Sequence, residues 1–323
     1  MRRIAVMTSG GDAPGMNAAI RSVARVAIDL GMEVLGIRRG FLGLTEGQFE
    51  LLDSRSVSGI IRQGGTMLGT ARSRFFRTEE GQRLALQRLR DRQVDGLVVI
   101  GGDGSLHGAQ ALHRLGFPVI GVPATIDNDI SGTLMAIGVD TALNTAVEAI
   151  DRIKDTASAH NRAFVVEVMG RNSGYLALMA AMASGAELAL VPEIDVPLER
   201  VLTEMRNSYA RGKTHFIVVV AEGARIKAKD LADYISQDGH SDRYEARLTV
   251  LGHVQRGGSP SAFDRILATR MGAAAVERLK QGFSAEMVVL RDGDMWGIPL
   301  EEVLSTPRTL DPRLYGLSNI LAT

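Results

Sequence analysis

The sequence predicts an α/β protein built as two doubly wound, mainly parallel-sheet lobes with a cleft between them. Short apolar runs recur along the whole chain with amphipathic stretches between them, the alternation of a strand–helix architecture. Several runs are continuous Val, Ile and Leu rather than alternating, as expected of strands covered on both faces. There are about nine of them, many for one sheet and ordinary for two.

The first strand is expected at Ile4–Met7, and Asn17–Leu30 follows as a helix whose Ala19, Val23, Val26, Ala27 and Leu30 share one face. The Arg pair before Ile4 does not announce a secretion signal, because glycines end the apolar run well short of the ~7–15 residues such a core requires. Further strands are expected at Val34–Ile37, Leu97–Ile100, Val119–Val122, Phe164–Met169, Leu188–Val191, Phe216–Ala221, Leu248–Leu251 and Met287–Leu290. Lys227–Asp242 is polar and reads as a peripheral helix and loop. No stretch approaches the ~18 apolar residues of a membrane span.

Composition narrows the function. The 37 basic and 37 acidic residues cancel, so no bulk positive field draws nucleic acid or an anionic membrane. Only five of the 37 basic residues are Lys, which reads as background usage as much as a preference for bidentate phosphate binding. Without Cys there are no disulfides, thiol nucleophiles or thiolate metal sites, and a cytoplasmic setting is the simple fit. Six scattered His do not suggest a zinc cluster.

In an open α/β sheet ligands gather at the carboxyl ends of strands. Three loops expected there are chemically loaded. Ser9–Asn17 reads SGGDAPGMN, where glycines let backbone N–H groups approach a phosphate at a helix N-terminus. It is not a Walker A loop, since Met16-Asn17 stands where Lys-Ser/Thr is required. Gly101–Ser105 reads GGDGS. It misses the dinucleotide spacing, and an Asp between glycines makes sense if a divalent cation lies between carboxylate and phosphate, unless Asp103 simply caps a helix. Pro123–Asp129 carries Asp127 and Asp129, two carboxylates able to divide metal binding from proton acceptance, or two turn residues. Farther on, Arg171, Glu222, His253 and Arg256 each follow a strand, as in a pocket for a phosphorylated polar substrate.

Together TSGGDAPGMN (8–17), IGGDGS (100–105), TIDND (125–129), VMGR (168–171) and LGHVQRGGSP (251–260) resemble the bacterial ATP-dependent 6-phosphofructokinases. The resemblance is collinear to about Arg270 and weak beyond about Gly282. It implies transfer of the ATP γ-phosphoryl group to the 1-hydroxyl of fructose 6-phosphate with Mg²⁺, by two Rossmann-like lobes: 1–138 with 255–305 for ATP, and 139–254 with 306–323 for the sugar phosphate. Gly11, Arg72, Ser73, Gly102, Asp103, Gly104 and Ser105 then match the nucleotide site, with Phe41, Phe76 and Arg77 near it. Asp103 and Asp129 match the magnesium carboxylates and Asp127 the general base, with Arg72, Thr125 and Arg171 beside the chemistry. Thr125, Ile126, Asp127, Met169, Gly170, Arg171, Glu222, His253, Val254, Gln255 and Arg256 match sugar phosphate positions. So do Arg162 and Arg247, which in the family come from the neighbouring subunit, implying a homotetramer.

The resemblance also implies a regulatory site for ADP or phosphoenolpyruvate at Arg21, Arg25, Arg55, Lys154, Gly185, Glu187, Arg211, Lys213, Thr214 and His215. There Lys154 replaces the usual Arg, Ser54 a frequent Arg and Gly59 an acid, so shallow allostery is expected. Small residues at Gly104 and Ala124 favour ATP over the pyrophosphate used by some relatives, although Ala124 adds a methyl to the usual Gly. Leu134-Met135-Ala136 replaces the usual Asp-Tyr-Thr. Competing readings are a pyrophosphate-dependent enzyme, another kinase with a GGDG loop such as an NAD kinase, and a catalytically silent metabolite sensor.

Overall fold

The computed structural model describes residues 1–160, 162–237 and 246–322. In chain order the elements are β1 Arg3–Ser9, α1 Met16–Asp29, β2 Glu33–Ile37, α2 Gly40–Glu46, β3 Phe49–Leu52, α3 Glu79–Asp91, β4 Gly96–Gly101, α4 Asp103–Arg114, β5 Val119–Pro123, α5 Val139–His160, β6 Ala163–Val168, α6 Tyr175–Ser184, β7 Leu188–Leu190, α7 Leu198–Ala210, β8 Phe216–Ala221, α8 Ala228–Gln237, β9 Ala246–Val250, α9 Ala262–Lys280, β10 Glu286–Arg291, β11 Asp294–Pro299, α10 Leu300–Ser305 and α11 Pro312–Leu321. Short 3-10 turns lie at Ile60–Arg62, Phe75–Arg77 and Gly252–Arg256.

The strands form a seven-stranded sheet, β11-β10-β5-β4-β1-β2-β3, and a four-stranded sheet, β7-β8-β6-β9. The smaller sheet is wholly parallel. The larger is parallel except at its edges, where β3 and β11 run antiparallel to β2 and β10. The chain divides into two units. Residues 1–126, 130–141 and 256–308 form the first, and 127–129, 142–255 and 309–323 the second.

Each expected strand is present. The continuous runs are the covered strands: β4, β5 and β8 are buried along their whole length. β9 is the exception, an edge strand with Leu248 and Val250 exposed. The α1 helix begins one residue before the expected start, and more of it is buried than one stripe, because Ala18 and Ala24 are covered as well as Ala19 and Val23. It packs on α9 at close range. A Cβ at Gly272 would stand 2.8 Å from the Ala19 carbonyl, and Ser22 Oγ donates to the Thr269 carbonyl at 2.6 Å. On the other face of the large sheet, Met7, Leu97, Val99 and Met287 pack with Phe41, Leu89, Leu106 and Leu300 in one apolar core. Of the polar stretch from Lys227, the first part is helix α8, and residues from 238 to 242 lie outside the described residues.

Candidate active site

The loops after β1, β4 and β5 leave three adjacent parallel strands, so they emerge at one edge of the large sheet. The chain moves outward from β1 to β2 and returns to β4 on the other side, the switch point where α/β sheets bind ligands. Gly101 is needed here for close packing, because a Cβ would overlap the Ser9 carbonyl and the Ser105 side chain. Asp103 does not cap α4. Gly102 is the N-cap, and Asp103 opens the helix with its side chain about half exposed and 3.4 Å from His107 Nδ1. The Gly102 carbonyl accepts from Ser105 and Leu106 N–H, which leaves the first N–H groups of α4 directed outward. Among the described residues, nothing beyond its chain neighbours and the helix's own backbone lies within 4 Å of where a Gly104 Cβ would be. Glycine is therefore not demanded by the packing of the chain itself, and in a helix it costs about 1 kcal/mol relative to Ala.

The first loop is braced from beneath. Asn17, 2% exposed, donates to the carbonyls of Gln63 and Gly64 at 3.1 Å and accepts from Met67 N–H at 2.7 Å. Thr8 Oγ1 meets Thr66 Oγ1 at 2.7 Å and donates to the Gly69 carbonyl. These bonds fix the segment that leads to the exposed Arg72 and to Ser73, whose Oγ accepts from Phe76 N–H. Phe76 stacks on Phe41 at 4.0 Å, and a Cβ at Gly108 would overlap the Phe41 ring. Arg77 is exposed. Sequence reasoning missed the Asn17 brace, whose only signal is an Asn at the start of an apolar helix.

Arg256 reaches the first loop. Its guanidinium lies where a Cβ of Gly11 would be and donates to the Asp12 carbonyl at 3.3 Å. Gly11 thus makes room for a cation at the loop after β1. In the third loop Ala124 is fully buried, with its N–H on the Gly101 carbonyl, while Thr125 N–H donates to the Ile137 carbonyl. Asp127 is 7% exposed, Asn128 is fully buried with φ 49, and Asp129 is half-buried. Arg308 donates to the carbonyls of Thr133 and Leu134 at 2.6 and 2.8 Å, holding the departure at Leu134–Ala136 by its backbone while Leu134 itself points into solvent.

In the second unit the loops after β6, β8 and β9 again leave adjacent parallel strands. Gly170 adopts φ 147 and Arg171 φ 57. Glu222 holds this turn, accepting from Arg171 N–H at 2.5 Å and Gly170 N–H at 3.3 Å. Gln255, fully buried, accepts from Met169 N–H at 2.8 Å. His253 and Val254 are exposed beside it. Arg162 and Arg247 are not brought to this group. Arg162 precedes β6 and Arg247 lies at the start of β9, so the length of β6, about 20 Å for six extended residues, separates them from Met169–Arg171.

Of the expected regulatory residues of the second unit, Glu187, Lys213 and His215 lie together, and Lys154 lies against Gly185. Glu187, buried, accepts from Lys213 Nζ at 3.2 Å and Ile217 N–H at 2.7 Å, with His215 Nε2 4.0 Å away. Lys213 also donates to the Ala322 carbonyl, Lys154 to the Ser184 carbonyl, and Arg211 to Ser208 Oγ at 3.3 Å. Gly185 ends α6 beside Lys154 Nζ, and Thr214 is exposed. Arg21, Arg25 and Arg55 belong to the first unit. Gly59 has φ 74, so an acidic side chain would be strained there.

The phosphofructokinase family profile matches residues 3–279. The ATP-dependent 6-phosphofructokinase of Thermotoga neapolitana is 51% identical over 323 residues, all of both chains. That of Listeria welshimeri is 51% identical over 322 residues, again all of both. Among solved structures, phosphofructokinase from Saccharomyces cerevisiae superposes with a TM-score of 0.88 at 36% identity, covering 100% of this chain and 48% of that one. The pyrophosphate-dependent phosphofructokinase of Marinobacter aquaeolei shares the fold, with a TM-score of 0.86 at 22% identity, over 97% of this chain and 86% of that one.

Proposed function

The chain belongs to the phosphofructokinase family, and from that premise we propose that it transfers the γ-phosphoryl group of ATP to the 1-hydroxyl of fructose 6-phosphate, giving the 1,6-bisphosphate and ADP in the cytoplasm. The observation that carries the reading is the outward-facing N-terminus of α4 with open space at Gly104, between loops carrying Gly11 and Thr125. ATP rather than pyrophosphate is the donor, because the full-length relatives at 51% identity are ATP-dependent and Gly104 leaves room for the rest of a nucleotide.

Phosphoryl transfer needs alignment and positive charge where the equatorial oxygens gather negative charge. The α4 N-terminus, Arg72 and Arg171 supply that charge. Asp127 takes the proton of the 1-hydroxyl. Ser73, Gly102 and Ser105 complete the nucleotide side, while Ile126, Met169, Gly170, Glu222, His253, Val254, Gln255 and Arg256 bind or orient the sugar phosphate. The chain's donors fit Mg²⁺: Asp103 offers a half-exposed carboxylate at a phosphate-binding helix end, with Asp129 as its companion. A magnesium ion bound largely through substrate phosphates requires only one or two carboxylates, and it neutralises phosphate charge.

The placement of Arg162 and Arg247 at the opposite end of β6 supports a homotetramer in which each arginine pair completes a neighbour's site. Arg247→Ala subunits mixed with Asp127→Asn subunits should then regain activity; mixed tetramers without recovery would put the whole site in one chain. The Glu187 cluster supports an effector site for ADP or phosphoenolpyruvate, with weak coupling because Ser54 and Lys154 offer less to a phosphate than arginine forks. A coupled assay with fructose 6-phosphate and either ATP or pyrophosphate tests the reading. Bisphosphate formed from pyrophosphate as fast as from ATP would overturn the choice of donor.

A further inference from the structure

Asp264 is fully buried and no part of the reaction described above uses it. It is the third residue of α9, and its own N–H is capped by Ser261 Oγ at 3.2 Å. Its carboxylate does not serve its own helix. It crosses to the start of α5, where it accepts from Gly138 N–H and Thr141 N–H, both at 2.8 Å, and from the Thr141 hydroxyl at 2.5 Å. α5 answers in kind. Asp140 accepts from the Ser261 hydroxyl at 2.5 Å, and Thr141 Oγ1 accepts from Ser261 N–H at 3.0 Å. Asp264 thus caps the start of α5, while Asp140 and Thr141 hold Ser261, the cap of α9.

Burying a carboxylate is costly, and here burial, aided by the Asp140 charge, pushes the Asp264 carboxyl above its usual range despite three donors. The reason for so expensive a cap lies at Gly138. An ordinary cap would be Ser, Asp or Asn at that position. Gly138, however, has φ 102, and a Cβ there would stand 2.7 Å from the Ala13 Cβ. The first loop passes too close for a side chain, so the cap has to come from another helix.

The neighbour of Gly138 shows what is being held. Ile137 N–H donates to the Pro123 carbonyl, and the Ile137 carbonyl accepts from Thr125 N–H, both at 3.0 Å. On its other side Ile137 fills the space a Cβ at Gly15 would need, at 2.7 Å. Ile137-Gly138 is therefore a wedge between the phosphate loop and the Thr125 loop. We propose that Asp264 is a positioning residue for phosphoryl transfer, pinning this wedge so that the loops after β1 and β5 keep the spacing in-line transfer needs. The proposal rests on the reaction assigned above.

The test is Asp264→Asn, which keeps the shape but turns one acceptor into a donor facing Thr141. Near-ångström misplacement of reacting groups lowers rates by up to about 10², so kcat should fall roughly 10- to 100-fold, with half-saturation by ATP and by fructose 6-phosphate each within about threefold. Thr141→Val removes only the hydroxyl and should lower kcat by a smaller factor, with the double variant no worse than Asp264→Asn. Amide hydrogen exchange at Thr125 and Ile137 should accelerate in both variants. A lower melting temperature with unchanged kcat per folded enzyme, or raised half-saturation with unchanged kcat, would overturn the proposal. If Asp264→Asn does not fold, Thr141→Val decides. A wild-type enzyme inactive toward fructose 6-phosphate would refute the assigned reaction instead. Exchange then decides the positioning role: acceleration in the variants supports it, and protection equal to wild type overturns it.

Discussion

The two sheets present their loops by different means. At the large sheet the groups we propose to face ligand are mostly backbone: Gly11, Gly102 and Gly104 with the start of α4. At the small sheet they are side chains, and other side chains hold the loops beneath them. Glu222 grips the Gly170-Arg171 turn and Gln255 grips Met169. A backbone site is sensitive to added bulk and indifferent to most changes of charge. A side-chain site is the reverse, since removing one acceptor such as Glu222 frees a whole turn.

The largest expected effect lies outside this contrast and sets its scale. Asp127→Asn should slow turnover by roughly 10²–10⁴ with substrate binding retained, the share of a general base; turnover within a few-fold of wild type would remove Asp127 from the role. Next is Glu222→Ala. Losing the two turn hydrogen bonds, one exposed and one part-buried, costs about 0.5–1.5 kcal/mol each, so half-saturation by fructose 6-phosphate should rise roughly 5- to 50-fold while that by ATP stays put. Equal weakening toward both substrates would break the contrast.

Gly104→Ala sharpens it from the other side. A methyl fits the free chain, so thermal stability should hold or improve by up to about 1 kcal/mol, while the ATP half-saturation rises several-fold. Unchanged ATP affinity would show that nothing approaches α4 at this point. The smallest effect concerns acid stability. Because the folded Asp264 carboxyl binds its proton more tightly than the unfolded one, stability falls as pH rises from about 3.8 through the folded value, and stays lower above it. Asp264→Asn lacks this slope. The wild-type melting temperature should therefore gain on the variant's as pH falls toward 4, and an opposite trend would contradict the assignment.

The covered strands were legible because burial on both faces writes itself as unbroken apolar runs. β3 and β11 were not. FELL and DMWGIP are short edge strands whose apolar residues are interrupted by Glu50 in one and by Gly297 and Pro299 in the other, and only their pairing makes them strands. The ligand loops were legible through their glycines, since few residues tolerate such close approach or positive φ. The braces under them were not, because Asn17, Asp264 and Arg308 find partners far away in the chain. The resemblance carried Arg256 to the sugar phosphate, and no motif could say that its guanidinium rests on Gly11.

The order of the strands also sets an order of birth. The small sheet takes all its strands from residues 163–250 and is complete in the nascent chain by β9. The large sheet begins at β1 yet draws β10 and β11 from 286–299, and α1 lacks its partner α9 until residue 280 has been made. At about 5–20 residues per second, the first strands synthesised wait roughly ten seconds or more with one flank uncovered. The large sheet, begun first, is thus closed after the small one, and the ribosome exposes its first apolar strands for longest.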